Sequence, residues 1–444
     1  MFFNSHEKVM KIKKHRKDNS DMKYNILDFG AQVSDYLQTE AIQKTIDTCF
    51  QNGGGEVIIP CGVFKTGSIR LRSNITLHLM SGAILEGSRD CEDYTDFADD
   101  KIEPIDPKEL ERPKGTNPHN RWHHAIIQVL NAENVSIIGE SGSYINGMNC
   151  YDPEGEEKYR GPHAIVIFNS NNITLKGYIV KDSANWAHNI FETQNVQIEN
   201  VAVYGGHDGI DIRTCDNVTI DNCKLYTGDD AVAGFDNINV VVKNCLLNAA
   251  CAAFRLGGTD VLIDNCRSVS PARFGFRFTL SEEKKALALP TDETSRHTNG
   301  VLFLYYCCYR VGVRRTPGNI TIQNSEFDGN RKMFWMNFSE DEKWCCNRAL
   351  TQIKFKNCKI TNLREAAITM NGDENDKITF EVEDTEISAS TEISDNFFME
   401  TKNFNEINMS NVKIKGFKKN EIRVSGEPGR LNLDNSDEII LTNV

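Results

Sequence analysis

The sequence predicts an all-β solenoid, a single-stranded parallel β-helix, on the basis of an internal repeat and the short apolar runs within it. Four segments carry the repeat most clearly: QIENVAV, TIDNCKL, VVKNCLL and LIDNCRS. Their asparagines Asn200, Asn222, Asn244 and Asn265 follow one another at steps of 22, 22 and 21 residues. A period of this length with alternating apolar residues is typical of stacked coils, each of which buries its inner face against the next.

A capping helix is predicted ahead of the first coils, from about Thr39 to Phe50 (TEAIQKTIDTCF). Thr39 is the expected N-cap, and the glycines at 53–55 end the helix. A helix at this place covers the open end of a solenoid, which must be capped for solubility.

Domain organisation follows from where the repeat starts and where it is interrupted. Residues 1–23 are polar and basic and are predicted to form a flexible extension, whereas 24–444 are predicted to form one β-helix domain. The polar stretch 89–125 lacks the repeat, and an insertion of this length usually forms a functional loop. Its end places Trp122, His123 and His124 as candidates for lining a cleft.

Charge and composition exclude several classes of partner. The formal net charge of −13 argues against nucleic acid and against anionic membranes. No apolar stretch reaches the length needed to span a membrane. The N-terminal residues lack the apolar core of a secretory signal, so the expected location is the cytoplasm, or outside the cell if a leader has been removed.

The chain contains 14 cysteines, and their placement indicates free thiols rather than a disulfide framework. Cys223, Cys245 and Cys266 occupy the same phase of three successive repeats, which predicts a stack of small side chains in or beside the core. No pair of CxxC motifs has zinc-ligand spacing, so neither a metal nor another cofactor is expected.

Acidic residues gather at one fixed point of the repeat. Eight residues after each repeat asparagine stand Asp208, Asp230, Ala252 and Arg273. In-phase coils would stack these four positions about 4.8 Å apart, and Asp229 adds a third carboxylate. Like charges on neighbouring strands destabilise a sheet, whereas close carboxylates separate their pKa values in the way that acid–base catalysis uses. The alternative is a solvated acidic turn.

The motifs around these acids resemble those of the polygalacturonases, glycoside hydrolase family 28. The resemblance rests on DFGAQ, GGGEVIIPCGVFKTGSIRLRSNITLHLMSGAILEGS, HDGIDI and TGDDAVA, and it extends over roughly residues 24–280. It implies a right-handed parallel β-helix that hydrolyses glycosidic bonds with inversion, usually in uronate-containing pectic polymers. Carried over by position, Asp229 would be the general acid, and Asp208 and Asp230 would hold and deprotonate the attacking water.

Three departures from the family pattern affect substrate recognition. The family's asparagine two residues before Asp208 is Gly206, and its histidine, expected at about 252–253, is missing. The family's Arg-Ile-Lys aligns with residues 277–279, which keep Arg277 and lose the lysine. The acidic residues are therefore retained while the residues around them differ. The candidate substrate-binding residues are His207, Arg255, Arg273, Arg277, Trp186 and His188.

Three functions from different classes fit these features. The leading hypothesis is an inverting, exo-acting glycoside hydrolase acting on pectin-type or other uronate- or rhamnose-containing oligosaccharides. A polysaccharide lyase on the same fold would instead need a cation, such as calcium on the aspartates, and a basic proton acceptor. A non-catalytic carbohydrate-binding β-helix is the third. The sequence leaves the sugar, the linkage and the oligomeric state open.

Overall fold

The structure is a computed structural model. It describes residues 22–96, 121–152, 160–205, 207–275, 300–307, 314–338, 345, 348–390 and 397–444. The extension at 1–21, most of the 89–125 insertion and Arg277 therefore lie outside the described residues.

The described strands wind into an all-β, right-handed parallel β-helix, as predicted. Each regular coil contributes one strand to each of three faces, and each strand pairs in parallel with its counterparts in the neighbouring coils. The first-face strands are β4 (Ile69–Leu71), β7 (Ala125–Leu130), β10 (His163–Phe168), β13 (His188–Phe191), β16 (Ile210–Arg213), β23 (Val301–Tyr305), β26 (Phe334–Asn337), β29 (Ile368–Asn371), β32 (Phe397–Lys402), β35 (Lys419–Ser425) and β37 (Ile440–Asn443).

The other two faces complete each coil. The second-face strands are β1 (Lys23–Asn25), β2 (Gly55–Ile59), β5 (Ile75–Leu79), β8 (Glu133–Gly139), β11 (Asn171–Lys176), β14 (Gln194–Glu199), β17 (Asp216–Asp221), β24 (Gly318–Gln323), β27 (Gln352–Lys356), β30 (Ile378–Glu383), β33 (Phe404–Ser410) and β36 (Arg430–Asp434). The third-face strands are β3 (Gly62–Thr66), β6 (Ala83–Gly87), β9 (Tyr144–Asn146), β12 (Ile179–Lys181), β15 (Ala202–Gly205), β18 (Lys224–Thr227), β20 (Leu246–Ala249), β22 (Arg267–Ser268), β25 (Glu326–Asp328), β28 (Lys359–Leu363), β31 (Glu386–Ala389) and β34 (Lys413–Lys415). Two longer strands, β19 (Val232–Lys243) and β21 (Ala252–Asp264), run from the first face into the second.

The repeat asparagines form the turn between the second and third faces. Asn200, Asn222, Asn244 and Asn265 have φ between 51° and 56°, a left-handed conformation that asparagine tolerates better than most residues. The amide of Asn222 donates to Oδ1 of Asn200 at 2.6 Å, and that of Asn265 donates to Oδ1 of Asn244 at 2.7 Å. Both the backbone preference and the side chain of asparagine therefore suit this turn.

The core is a stack of inward-facing side chains in register from coil to coil. One column on the second face consists of Ile173, Val196, Val218, Val240, Val261 and Ile320. Each is at most 2% exposed, and full burial of such a side chain stabilises a fold by about 1.5–3 kcal/mol. Cys223, Cys245 and Cys266 are buried free thiols, as predicted.

The predicted capping helix is present as α1 (Thr39–Gln51). Its buried residues Ile42, Ile46 and Cys49 belong to the solenoid core, so the helix covers the first coils. The predicted N-cap was wrong, since Gln38 occupies the N-cap position. The Thr39 hydroxyl instead accepts the backbone N–H of Gly67 at 2.8 Å, which links the helix to the coil. Within the described ranges, no helix is both long and apolar enough to span a membrane.

Strand β19 bends between the first and second faces at Gly234. This residue has φ of 137°, and a Cβ there would lie 1.5 Å from the carbonyl oxygen of Ile212 in the preceding coil. The register with β21 shifts between Gly234 and Asn237. Only glycine allows the two coils to approach this closely.

Replacing Gly234 by alanine is therefore expected to lower the free energy of unfolding by about 2–4 kcal/mol, measured by urea unfolding with circular dichroism. Gly426→Ala is the matched control, because Gly426 also has a positive φ of 85° but a Cβ there would meet nothing within 4 Å. An equal loss in both variants would contradict the steric explanation.

Candidate active site

The three acids found in the sequence lie together, in the turns that connect the third face to the first face in two successive coils. The backbone N–H of Asp230 donates to Oδ1 of Asp208 at 3.2 Å, and the N–H of Gly209 donates to the carbonyl of Asp230 at 2.9 Å. Asp208, Asp229 and Asp230 are 5%, 6% and 0% exposed. Their carboxyl groups are therefore largely removed from solvent, which increases the effect of each charge on the others.

Small side chains and one hydroxyl shape this pair of turns. A Cβ on Gly209 would lie 2.7 Å from the carbonyl oxygen of Ala231, so a glycine lets the two turns stack closely. The Thr227 hydroxyl donates to the carbonyl of Asp229 at 3.2 Å, and the N–H of Gly228 donates to the carbonyl of Gly205 at 3.0 Å. These contacts fix the backbone from which the adjacent Asp229 and Asp230 project.

A fourth acid and two arginines border the turns on the first face. Ile210 and Ile212 face the core. Asp211 and Arg213 alternate with them along the strand and therefore lie on its outer side. Nε of Arg213 donates to Oδ1 of Asp211 at 2.6 Å. Two coils further on, Nε of Arg255 lies 3.1 Å from Oδ2 of Asp230.

Burial raises the pKa of three acids of the site, Asp208, Asp211 and Asp230. Burial raises the pKa of Asp230 to about 7, although the charge of Arg255 opposes the rise. Burial, together with the charges of Asp229 and Asp230, holds the pKa of Asp208 well above its usual value. Burial also raises the pKa of Asp211, against the effect of Arg213. The site therefore holds carboxylic acid and carboxylate together near neutral pH, which acid–base catalysis requires.

A comparison with known families decides what kind of chain carries this site. Residues 56–249, which include all four acids, match the model of glycosyl hydrolases family 28. The chain is similar to this family over that segment, which is less than half of its length. The polygalacturonase-like character implied by the sequence motifs is thereby confirmed.

Two relatives and one solved structure are similar to parts or all of the chain. An exo-poly-alpha-D-galacturonosidase of Dickeya chrysanthemi is 47% identical over 73 residues, covering 16% of this chain and 12% of that protein. A probable polygalacturonase of Vitis vinifera is 26% identical over 205 residues, covering 43% and 40%. The chain therefore matches less than half the length of these two relatives. The structure of a hyperthermoactive exopolygalacturonase from Thermotoga maritima superposes with a TM-score of 0.63 at 18% identity, covering 89% and 92%, and shares the fold.

A cluster of rings and cations lies beside the acids. Nη1 of Arg160 is 3.3 Å from Nδ1 of His207 and 3.9 Å from Oδ2 of Asp229. The guanidinium carbon of Arg213 lies 4.3 Å from the ring centre of Trp186, a cation–π distance. His207 and Trp186, both sequence candidates, are thus brought to the site, and their roles toward a substrate stay predictions.

The prediction that His188 binds substrate is wrong. His188 pairs with Ile165 and Ile210 in an inward-facing column and is fully buried. Its ring nitrogens lie 3.0 Å from the Tyr178 hydroxyl and 2.9 Å from the carbonyl oxygen of Gly209. Burial lowers its pKa to about 4, so it is neutral at physiological pH. The histidine therefore holds the backbone next to Asp208 from inside the coil.

The prediction that Arg273 continues the acid column is also wrong. After Ala252 the next position in the column is Val301, which pairs with Ala252 in place of the expected Arg273. The Arg273 guanidinium instead lies 5.5 and 5.8 Å from the ring centres of Tyr204 and Tyr226 on the third face.

The residues at the end of the 89–125 insertion also differ from the expectation. Trp122 and His123 are buried, and the His123 ring stacks on Phe191 at 4.9 Å. Trp122 packs edge-on against Trp186, at 5.4 Å between ring centres. Trp122 and His123 therefore pack beneath the cluster beside the acids instead of lining an open cleft.

Four contributors were missed in the sequence: Arg160, Asp211, Arg213 and Cys251. Asp211 stood in the quoted motif HDGIDI, and Cys251 directly precedes the position searched for the family histidine. In the part of the chain that the structure describes, Sγ of Cys251 and carboxylate oxygens of Asp229 and Asp230 lie within 4.8 Å of one another. Burial, followed by the charges of these acids, raises the pKa of the Cys251 thiol, so it is protonated at neutral pH. Arg160 follows a non-repeating segment and gave no sequence signal.

Asp230→Asn is expected to stabilise the protein above pH 7. The folded-state pKa is raised from 3.8 to about 7, so stability present below pH 4 is lost progressively as the pH rises to about 7. Removing the buried charge should restore about 1–3 kcal/mol at pH 8 and change little at pH 4, as measured by thermal melting at both values.

Asp35→Asn serves as the control of opposite sign, because the hydrogen bond from Lys65 lowers the pKa of Asp35 and the residue is exposed. A gain in Asp230→Asn of the same size at pH 4 and pH 8 would contradict the burial explanation.

Proposed function

We propose that the chain is an inverting glycoside hydrolase that cleaves glycosidic bonds in pectin-type or other uronate- or rhamnose-containing oligosaccharides, acting from a chain end. The observation that carries this proposal is the convergence of Asp208, Asp229 and Asp230 in two stacked, buried turns of a solenoid that matches the family 28 model.

The proposed reaction divides two proton transfers among the three acids. Asp229 donates its proton to the glycosidic oxygen as the bond to the leaving sugar breaks. Asp208 and Asp230 hold a water and accept its proton as the water oxygen attacks the anomeric carbon from the opposite side. The pKa of about 7 makes Asp230 a base that is substantially ionised at neutral pH. Turnover ends with the return of a proton to Asp229.

Two described cations are placed to meet an acidic sugar. Arg160 lies beside Asp229, and Arg255 lies beside Asp230. Arg160 precedes the two acids in the sequence, and Arg255 follows them. The small Ala233 lies between Asp211 and Arg255 in the outward column of the first face. Arginine binds carboxylates through two parallel hydrogen bonds, so a uronate is the substrate class we propose.

Exo action is supported by one relative and by the length of an insertion. The D. chrysanthemi protein, 47% identical over 73 residues, is named an exo-poly-alpha-D-galacturonosidase. The 89–125 insertion has the length of a loop that closes one end of a cleft. Release of only mono- or disaccharide from a labelled oligogalacturonate, with slow loss of polymer viscosity, supports exo action, and early mid-chain products contradict it.

Asp229→Asn is expected to lower kcat by about 10²–10⁴-fold while substrate binding is kept, because the general acid is removed without loss of volume. Reducing-sugar release from a panel of uronate and rhamnose oligosaccharides, with binding followed by calorimetry, measures both effects. Asp28→Asn, at an exposed acid in the N-terminal 3₁₀ turn, is the control.

The same assays separate the competing functions. NMR of the first product should show inverted anomeric configuration. An unsaturated, ultraviolet-absorbing product that chelation abolishes would indicate a lyase instead. Binding without turnover in the unsubstituted protein would indicate a carbohydrate-binding solenoid.

The charge of Arg255 should influence the pH dependence of kcat/KM. If Asp230 is the base, kcat/KM falls about tenfold per unit as the pH drops well below 7. Arg255 lowers the pKa of Asp230, so Arg255→Gln should move this limb to higher pH, whereas Arg255→Lys should leave it nearly in place. A limb that stays fixed in Arg255→Gln, or activity that instead falls as the pH rises through 7, would remove Asp230 from the role of base.

A further inference from the structure

Two thiols from distant parts of the chain meet outside the acid site. Sγ of Cys91 lies 3.5 Å from Sγ of Cys150, although 59 positions separate them in sequence. Cys91 begins a 3₁₀ turn (Cys91–Asp93) that follows the third-face strand β6. Cys150 ends a tight turn, in which its N–H donates to the carbonyl of Gly147 at 3.2 Å. Each thiol of the core column donates to a backbone carbonyl two residues earlier, whereas Sγ of Cys91 lies 3.6 Å from the carbonyl oxygen of Cys150, 59 positions later.

The Cys91 thiol is open to reagents of moderate size. Cys91 is only partly buried, whereas Cys150 is buried. Cys91 lines an open cavity of about 580 Å³, together with Ser88, Arg89, Asp90, Glu92, Tyr151 and Asp152. A small disulfide can therefore reach Cys91 first, with Cys150 directly behind it.

We propose that Cys91 and Cys150 are a reversible disulfide site. The thiolate of Cys91 attacks one sulfur of a low-molecular-weight disulfide, which releases one thiol and leaves a mixed disulfide on Cys91. The thiolate of Cys150 then attacks Sγ of Cys91, forms the Cys91–Cys150 bond and releases the second thiol. The two protein thiols lose two electrons and two protons, and the small disulfide gains both.

Cross-linking would restrain the segment that carries Arg160. A Cβ on Gly161 would lie 2.3 Å from the carbonyl oxygen of Cys150, so the residue after Arg160 packs directly on Cys150. The N–H of Asp152 donates to the carbonyl of Arg160 at 3.2 Å. The bond would also close a loop that includes the 89–125 insertion, and closing a long loop restricts the unfolded chain. The oxidised protein is therefore expected to melt a few degrees higher than the reduced protein.

The test titrates the full chain with oxidised glutathione at pH 8, blocks remaining thiols by alkylation, and maps peptides by mass spectrometry. The expected result is one cross-linked peptide pair, Cys91 with Cys150, two fewer alkylated cysteines, and reversal by dithiothreitol. Cys61→Ser, at an exposed thiol elsewhere on the surface, should keep the cross-link and the higher melting temperature. Cys91→Ser should lose both.

The peptide map of the unsubstituted protein tests the proposed disulfide even if a variant fails to fold. Alkylation of both cysteines at glutathione levels that oxidise a reference dithiol would overturn the proposal, as would a persistent glutathione adduct on Cys91 without transfer to Cys150. The glutathione ratio at half-oxidation gives the reduction potential of the pair, and hence the compartments in which the cross-link closes. None of these readouts uses glycosidase activity, so the result stands apart from the proposed function.

Discussion

In-register parallel pairing between successive coils is the constraint on which the rest of the structure depends. It places Ile210 over Val232 in the core, and with the same offset of 22 residues it brings Asp208 against the backbone of Asp230. A shift of one residue would exchange inner and outer faces along a strand. The apolar columns that stabilise the solenoid and the acids that form the site therefore depend on one register.

Burial of the acids in the site destabilises the fold, and burial of the apolar core columns must offset this. Burial raises the pKa of Asp208, Asp211 and Asp230, and the charges of Arg213 and Arg255 relieve only part of this. His188 and Tyr178 hold the Gly209 carbonyl from within the coil, so the turn cannot relax away from the repulsion by moving its backbone. Rigid supporting contacts of this kind keep charged groups in place in a strained arrangement.

The sequence predicted the fold and the acids because both follow the repeat. Asparagine suits these turns through its left-handed φ and its side-chain ladder, so its spacing located the coils. The same spacing misplaced Arg273, because the residue that pairs with Ala252 is Val301. It also grouped His188 with Trp186, although His188 lies within a strand and faces inward. Arg160 could not be found in this way, since its place beside Asp229 depends on how a non-repeating segment folds back.

The division between repeat and insertion separates two kinds of position around the site. The places of Asp208, Asp229 and Asp230 follow from coil geometry and hold as long as the register does. Arg160 lies outside the regular strands, and such connecting segments vary at little cost to a solenoid. Cys251 lies at the boundary, in a turn of the regular coil but beside the acids, and its thiol is protonated at neutral pH. Under the proposed function, substitutions at Arg160 and Cys251 would therefore alter the surroundings of the acids without moving the acids themselves.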